Sequence, residues 1–99
     1  MSAAMVAWVY ILASRRDGVL YVGVTADLAR RIREHKDGGG SVFARKYNVT
    51  RLVHAERFDD IRNAIEREKR LKRWRRDWKL ALIECGNPDW RDLSQDLNL

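Results

Sequence analysis

The chain has 99 residues, enough for one domain with a modest hydrophobic core, and its 20 Lys and Arg against 14 Asp and Glu give a net charge of +6. A basic balance of this size favours a polyanionic partner, although a soluble protein that is merely basic would have the same composition. The single cysteine, Cys85, excludes an internal disulfide and a cysteine-rich zinc site and fits a reducing cytoplasm. The sequence shows neither a signal-peptide pattern nor a stretch long enough to span a membrane.

Two runs of β-branched and aromatic residues, at 6–13 and 19–24, alternate in polarity, and the loop between them ends in Asp17-Gly18. This pattern predicts a β-hairpin. Because every second side chain of a strand shares a face, we expect Tyr10, Tyr21 and Gly23 to lie on the same side of the hairpin. The other side takes apolar residues that can form a core, namely Val9, Ile11, Leu20, Val22 and Val24.

A basic helix is predicted after the second strand, with Thr25 as its N-cap and Asp27 in its first turn, where the helix dipole favours a carboxylate. Arg31 and His35 lie four residues apart, so they share one face of this helix. The guanidinium of Arg31 suits phosphate oxygens, but the spacing also allows an ion pair with Asp27. His35 either relays a proton or contacts a phosphate near pH 7, or it is a surface residue near the helix end.

A glycine-rich loop over 37–41 ends this helix, and we favour a plain connector over a ligand-binding role for it. Residues 51–58 are predicted to form a third strand, since a hairpin alone is only marginally stable. Asp59 or Asp60 then caps a second helix. The stripe of that helix that faces the sheet contains Ile61, Ala64, Ile65, Glu68 and Leu71.

Glu68 is the candidate metal ligand, because burying an unpaired carboxylate is costly and this one must be matched by a metal, a basic partner or water. A divalent ion such as Mg²⁺ or Mn²⁺ prefers carboxylate oxygen and takes its other ligands from water and phosphate. An ion pair with Arg31 or another basic residue is the alternative.

A strongly basic run over 69–79 is predicted to break near Trp74 into a third helix, with Trp78, Ala81 and Leu82 packed inward. It favours salt-dependent, sequence-independent binding to phosphates, whereas a solvated charged helix is the alternative. Asn87 ends this helix, before Pro88. The candidate nucleic-acid-binding residues of the run are Lys69, Lys72, Arg73, Arg75 and Arg76.

The triplets Trp8-Val9-Tyr10 and Tyr21-Val22-Gly23, followed by Arg31 and Glu68, resemble the motifs of the GIY-YIG nuclease family. The chain is most similar to the small stand-alone bacterial members, which are related to the nuclease domain of the bacterial excinuclease. This resemblance implies an α+β fold, in which a small, three-stranded, mainly antiparallel sheet is flanked by helices. We expect a single domain over 1–99, with a core at about 6–93.

The resemblance also implies a metal-dependent endonuclease that hydrolyses phosphodiester bonds in DNA, directed by structure more than by sequence, with a role in DNA repair. It matches Glu68 to the ligand of one divalent metal ion and Arg31 to the group that stabilises developing negative charge. Tyr21 matches the general base and Tyr10 its helper. Several family members carry a histidine near the position of His35.

A module that binds structured DNA or RNA without cutting it is the alternative function, and a basic protein with a protein partner is a third. Gly23 either lets the backbone approach a phosphate or eases a bend in the strand. Asn87 resembles a family asparagine near the site, but a helix cap explains it equally well. Branched, damaged, duplex and single-stranded nucleic acids all stay open as substrates, and both a monomer and a dimer stay open as the oligomeric state.

Overall fold

The computed structural model describes residues 6–97, so the two ends of the predicted 1–99 domain lie outside the described residues. Three strands, β1 Ala7–Ala13, β2 Leu20–Thr25 and β3 Arg51–Phe58, form one antiparallel sheet in the order β2-β1-β3. Within residues 6–97, four helices flank it, namely α1 Leu28–Lys36, α2 Val42–Lys46, α3 Ile61–Arg73 and α4 Arg76–Gly86. The predicted α+β fold with a three-stranded sheet is confirmed.

The sheet has a hydrophobic core on both of its faces. On one face Val9 and Ile11 of β1 pack with Ala64 and Leu71 of α3 and with Ile83 of α4. The sequence predicted this apolar face. It did not predict a second core on the side of Tyr10, which forms because α1 and α2 cover that side. The buried residues of the second core are Tyr10, Leu12, Leu28, Ile32, Ala44, Val49 and Leu52.

The N-cap of α1 is Asp27, not Thr25 as predicted. The Asp27 side chain accepts a hydrogen bond from the backbone N–H of Arg30 at 3.1 Å, three residues along, as an N-cap does. Thr25 closes the turn before the helix instead, since its Oγ1 accepts from the Asp27 N–H at 3.1 Å. The start of α3 is as predicted, with Asp60 as its N-cap.

The predicted inward faces of the last two helices need correction. Trp78 is 51% exposed and Ala81 is also exposed, whereas Ile83 is fully buried and Leu82 packs at the margin of the core. The cause is the rotation of α4 about its own axis. The helix begins at Arg76, and its rotation directs Ile83, not Trp78, towards the sheet. Ile65 of α3 is exposed as well, because the stripe that meets the sheet is narrower than the apolar pattern suggested.

The C-terminal end of α4 confirms the helix-cap interpretation of Asn87. This residue is the C-cap, and its buried amide donates to the backbone carbonyl of Arg91 at 2.9 Å and to that of Val53 at 3.3 Å. Over residues 6–97, none of the helices has the length and apolar character needed to cross a bilayer.

Candidate active site

Tyr10 and Gly23 are directly opposite one another on the paired strands β1 and β2. A Cβ atom added to Gly23 would lie 2.4 Å from Oη and Cζ of Tyr10, so only glycine leaves room for the phenol. The sequence suggested phosphate approach or a bend for this glycine. The structure gives a third reason, which is the close packing of a tyrosine across the strand pair.

The Tyr10 hydroxyl lies 3.1 Å from Nε2 of His35, and the two residues are only 1% and 2% exposed. Burial raises the pKa of Tyr10 to about 12. Burial, followed by the nearby Arg31 charge, lowers the pKa of His35 below its usual value. Both groups are therefore neutral at pH 7, and the alternative that His35 is a surface histidine is wrong.

Tyr21 lies between this buried pair and solvent. Its ring centroid is 6.3 Å from that of Tyr10 and 5.2 Å from that of His35, and the residue is half-buried. The predicted sharing of one hairpin face by Tyr10, Tyr21 and Gly23 is confirmed by the strand register. Of the two phenols, Tyr10 and Tyr21, only Tyr21 is therefore accessible to a substrate.

Arg31 places its guanidinium beside both phenols. Its interaction with the Tyr10 hydroxyl is the largest cause that raises the pKa of Arg31. Nη2 donates to the Gly40 carbonyl at 2.8 Å, and Nη1 is 3.7 Å from Glu34 Oε1. A groove of about 420 Å³ opens next to this guanidinium. Its lining residues are Val24, Thr25, Ala26, Asp27, Arg30, Arg31 and Glu34.

Gly40 shows that the glycine-rich loop is more than a plain connector. A Cβ atom at this position would lie 2.4 Å from Nδ1 of His35, so the backbone packs directly on the imidazole. The same residue holds Arg31 through its carbonyl. The sequence analysis missed Gly40, because no local pattern tells which of three consecutive glycines meets a buried ring.

Glu68 lies on α3, which packs on the other face of the sheet and contacts β1 and β2. Its side chain is 14% exposed, and Oε2 is 3.1 Å from Nζ of Lys72. Within residues 6–97 no hydrogen bond or ion pair joins Glu68 to the phenols, the imidazole or Arg31. The cation that matches this carboxylate is therefore Lys72, not Arg31.

The carboxylate of Glu68 fits a hard divalent ion that takes most of its ligands from outside the protein. Over the described residues there is no group of three or more His, Cys, Asp or Glu that could surround a metal ion. A single half-buried carboxylate, whose described charged partner is the exposed Lys72, can offer one oxygen and leave the other positions to water and phosphate.

The basic candidates divide into two sets. Arg76 donates to the carbonyls of Asp17 and Gly18 at 2.7 and 2.6 Å, so it fastens the hairpin turn. Arg75 is 3.2 Å from Asp77 and stacks on Trp78. The other set lies exposed on α3 and consists of Lys69, Lys72 and Arg73.

Lys69, Lys72 and Arg73 lie on the side of α3 away from Arg67. Arg67 reaches Glu56 of β3 with a pair of hydrogen bonds of 2.9 and 3.0 Å, which identifies the flank towards β3. Lys69 is two residues further along, and two residues turn an α-helix by about 200°. Lys69 therefore lies on the opposite side of the helix from Arg67.

Matches to a protein family and to individual known proteins cover most of this chain. The family model described as the GIY-YIG catalytic domain matches residues 6–81. A UPF0213 protein of Haloquadratum walsbyi is 40% identical over 79 residues, covering 80% of this chain and 88% of the relative. A UPF0213 protein of Clostridium perfringens is 35% identical over 92 residues, covering 93% of this chain and 98% of the relative.

A solved structure is similar as well. The solution NMR structure of a UPF0213 protein from Bacillus halodurans has a TM-score of 0.57 and 31% sequence identity to this chain, covering 92% of this chain and 96% of that one. The span matched by the family model contains the whole sheet and every candidate site residue from Tyr10 to Arg76.

Proposed function

The chain belongs to the GIY-YIG catalytic domain family, and from this premise we propose that it is a metal-dependent endonuclease that hydrolyses phosphodiester bonds in DNA. The resemblance seen in its motifs is confirmed, and its relatives are UPF0213 proteins, small stand-alone members of the family. The family is of the endonuclease type and acts on nucleic acids. Cleavage by this chain, its preference for branched or damaged DNA and its part in DNA repair belong to the proposal. RNA stays open as a second substrate.

One observation carries the proposal, namely the convergence of a half-buried phenol, a guanidinium and a buried neutral pair at the β1–β2 hairpin and α1. Tyr21 faces the open side, and Arg31 lies beside it. We propose that Tyr21 positions the attacking water and takes its proton. Arg31 then stabilises the negative charge that develops on the phosphate oxygens, for which its planar fork is suited.

Tyr10 and His35 support Tyr21 and Arg31 from the interior of the protein. Both are buried, so neither is placed to touch the phosphate directly. The Tyr10 phenol keeps its proton at neutral pH because its pKa is raised to about 12, and that proton is available for a hydrogen bond. Their proposed role is to hold the Tyr21 ring and Arg31 in a dry, pre-organised arrangement.

We propose Glu68 as the protein ligand of one Mg²⁺ or Mn²⁺ ion. The bound ion would supply positive charge to the phosphate oxygens. Lys72 at 3.1 Å compensates the carboxylate when no ion is bound. A surface-exposed partner of this kind is given up at a cost of about 1 kcal/mol or less.

Lys69, Lys72 and Arg73 are the proposed contacts to the DNA backbone, since they are exposed on α3. Arg75 and Arg76 contribute positive potential, with their guanidinium groups already engaged with Asp77 and the hairpin turn. Contacts to phosphates carry no sequence information, which supports recognition by structure.

We further propose that the chain is one domain, with a core over about 6–93. A reducing compartment, the cytoplasm, suits its exposed free thiol, Cys85.

The alternative is a module that binds nucleic acid without cutting it. One observation favours it: Glu68 and Arg31 already have protein partners, in Lys72 and Gly40. Phosphate binding through the exposed lysines of α3 would then need no metal ion.

Cleavage of labelled DNA of branched, nicked, single-stranded and duplex form, in Mg²⁺ or Mn²⁺ against chelator, separates the two functions. We expect metal-dependent products from the wild type and their loss, by about 100-fold or more, in Glu68→Gln. Glu66→Gln is the matched control, because Glu66 is an exposed carboxylate on the same helix. DNA that is retained but uncut in every metal would establish the binding module instead.

A further inference from the structure

Three aromatic rings form a continuous strip from the candidate site to the surface, composed of Tyr21, Phe43 and Tyr47. The ring centroids of Tyr21 and Phe43 are 6.2 Å apart, and those of Phe43 and Tyr47 are 4.9 Å apart. Phe43 is 44% exposed and Tyr47 is 43% exposed. This aromatic strip therefore begins at the proposed base and ends with two large rings in solvent.

The strip is held in place by the local fold. Ser41 caps α2 by accepting from the N–H of Ala44 at 2.9 Å. Ala44 and Val49 are buried against the sheet, and the Val49 N–H donates to the Ala44 carbonyl at 2.8 Å. With Ala44 inward, Phe43 must project along the surface. The exposed rings are therefore set by a defined backbone.

The chain segment that carries Phe43 and Tyr47 is positively charged. Residues 38–55 contain no Asp or Glu. Arg45 and Lys46 are exposed on α2, and Nζ of Lys46 lies 5.3 Å from the Tyr47 ring centroid. A ligand that is both flat and anionic is complementary to this surface, whereas an apolar peptide would leave these charges unmatched.

We infer that the aromatic strip stacks unpaired nucleobases next to the scissile phosphate. This inference rests on the proposed function and specifies its substrate class as nucleic acid with unpaired bases at or beside the cut, such as a flap or a branch. Paired bases lie inside the duplex stack and present no face to a protein ring, while unpaired bases stack on aromatic side chains with little dependence on sequence. Arg45 and Lys46 would hold the adjoining phosphates.

The test is a binding titration in chelator, so that cleavage plays no part. The probes are a flap DNA that carries 2-aminopurine at the first unpaired position and a fully paired duplex of the same length with the same label. We expect quenching of the flap probe on binding to the wild type. Phe43→Leu keeps apolar bulk but removes the stacking face, and we expect it to weaken flap binding roughly five- to thirtyfold and to abolish the quench.

Two further variants complete the design. Tyr47→Ser changes a side chain that is 43% exposed, and we expect the same direction of effect without loss of folding, as followed by thermal unfolding. Val42→Ala is the matched control, because Val42 is the 77% exposed apolar residue of the same helix and has no ring. We expect it to bind both probes as the wild type does.

The outcomes distinguish this inference from the proposed function. Equal, unquenched binding of flap and duplex that Phe43→Leu leaves unchanged, in a protein that still cuts DNA with metal, would overturn the inference alone. The same unquenched result is expected if the strip instead binds a protein. Failure of the wild type to bind either probe would overturn both the inference and the proposed function.

Discussion

The hydroxyl of Tyr10 lies 3.1 Å from Nε2 of His35, in a buried contact that joins β1 to the C-terminal half of α1. Among the described residues, the other ring nitrogen, His35 Nδ1, is buried without a hydrogen-bond partner, under the backbone of Gly40. A charged imidazole has two N–H donors, and this site provides a hydrogen-bond acceptor for one of them at most. The contact therefore depends on a neutral histidine.

The stability of the protein should fall as the pH drops below the ordinary histidine pKa of about 6.5. The pKa of His35 is lower in the folded state than in the unfolded chain. As the pH falls, the unfolded chain therefore binds the proton first, and this binding stabilises the unfolded state relative to the folded state. The stabilisation is complete above the unfolded pKa and is lost towards the lower folded value. Urea unfolding at pH 7.5 and 5.5 should show a smaller decrease for His35→Gln than for the wild type. Identical decreases would refute the role of His35.

Gly40→Ala should destabilise the protein by about 1–3 kcal/mol, because the added methyl group would displace the His35 ring or the loop. Gly39→Ala is the matched control, since a Cβ there meets only the Glu34 carbonyl at an ordinary 3.8 Å. Urea unfolding of the two variants measures the difference. Equal stabilities would show that the loop moves away from the imidazole at no cost.

Arg31→Ala should lower the rate of metal-dependent DNA cleavage by about 100-fold, because it removes the charge beside Tyr21. Arg31→Lys should recover only part of the rate, since an ammonium cannot form two parallel hydrogen bonds to a phosphate. Arg33→Ala removes an equal charge from an exposed position of the same helix and should leave the rate near that of the wild type. Initial rates at saturating metal test this, and an unaffected Arg31→Ala rate would exclude the assignment.

Lys69→Ala should weaken DNA binding uniformly and reduce the slope of log affinity against log salt by about one, because one phosphate contact is lost. Arg57→Ala is the comparison, since Arg57 is an exposed cation of β3 paired with Asp59 at 3.1 Å. Titrations at several salt concentrations in chelator give both slopes. A larger change for Arg57→Ala would place the DNA on the β3 side.

Glu56→Gln should cost about 1–3 kcal/mol of folding free energy at pH 7, because the carboxylate accepts charged hydrogen bonds from Arg67 and contacts His54 at 2.7 Å. These partners lower the pKa of Glu56 to about 2, so its stabilisation is present above the unfolded value and is lost between about pH 4.5 and 2.

Thermal unfolding from pH 7 to pH 3 measures this loss. Asp59→Asn, which alters an exposed pair, should change stability by no more than about 0.5 kcal/mol. A Glu56→Gln protein as stable as the wild type at pH 7 would show that the contacts of the Glu56 carboxylate with Arg67 and His54 do not stabilise the fold.

The sequence by itself determined the three strands, the face shared by Tyr10, Tyr21 and Gly23, and the presence of Arg31 and His35 on one side of α1. These follow from the two-residue period of a strand and the 3.6-residue period of a helix, which are properties of neighbouring residues. The third strand was predicted with the bounds that the structure shows, Arg51–Phe58.

Only the tertiary structure decided which of these side chains are buried and what they contact. His35 is buried because α1 lies on the sheet and the loop at Gly40 closes over it, and Trp78 is exposed because the start of α4 sets its phase. Likewise, Lys72 rather than Arg31 matches Glu68, since the sheet separates α1 from α3. Burial and pairing depend on how distant elements pack, and no local period contains that information.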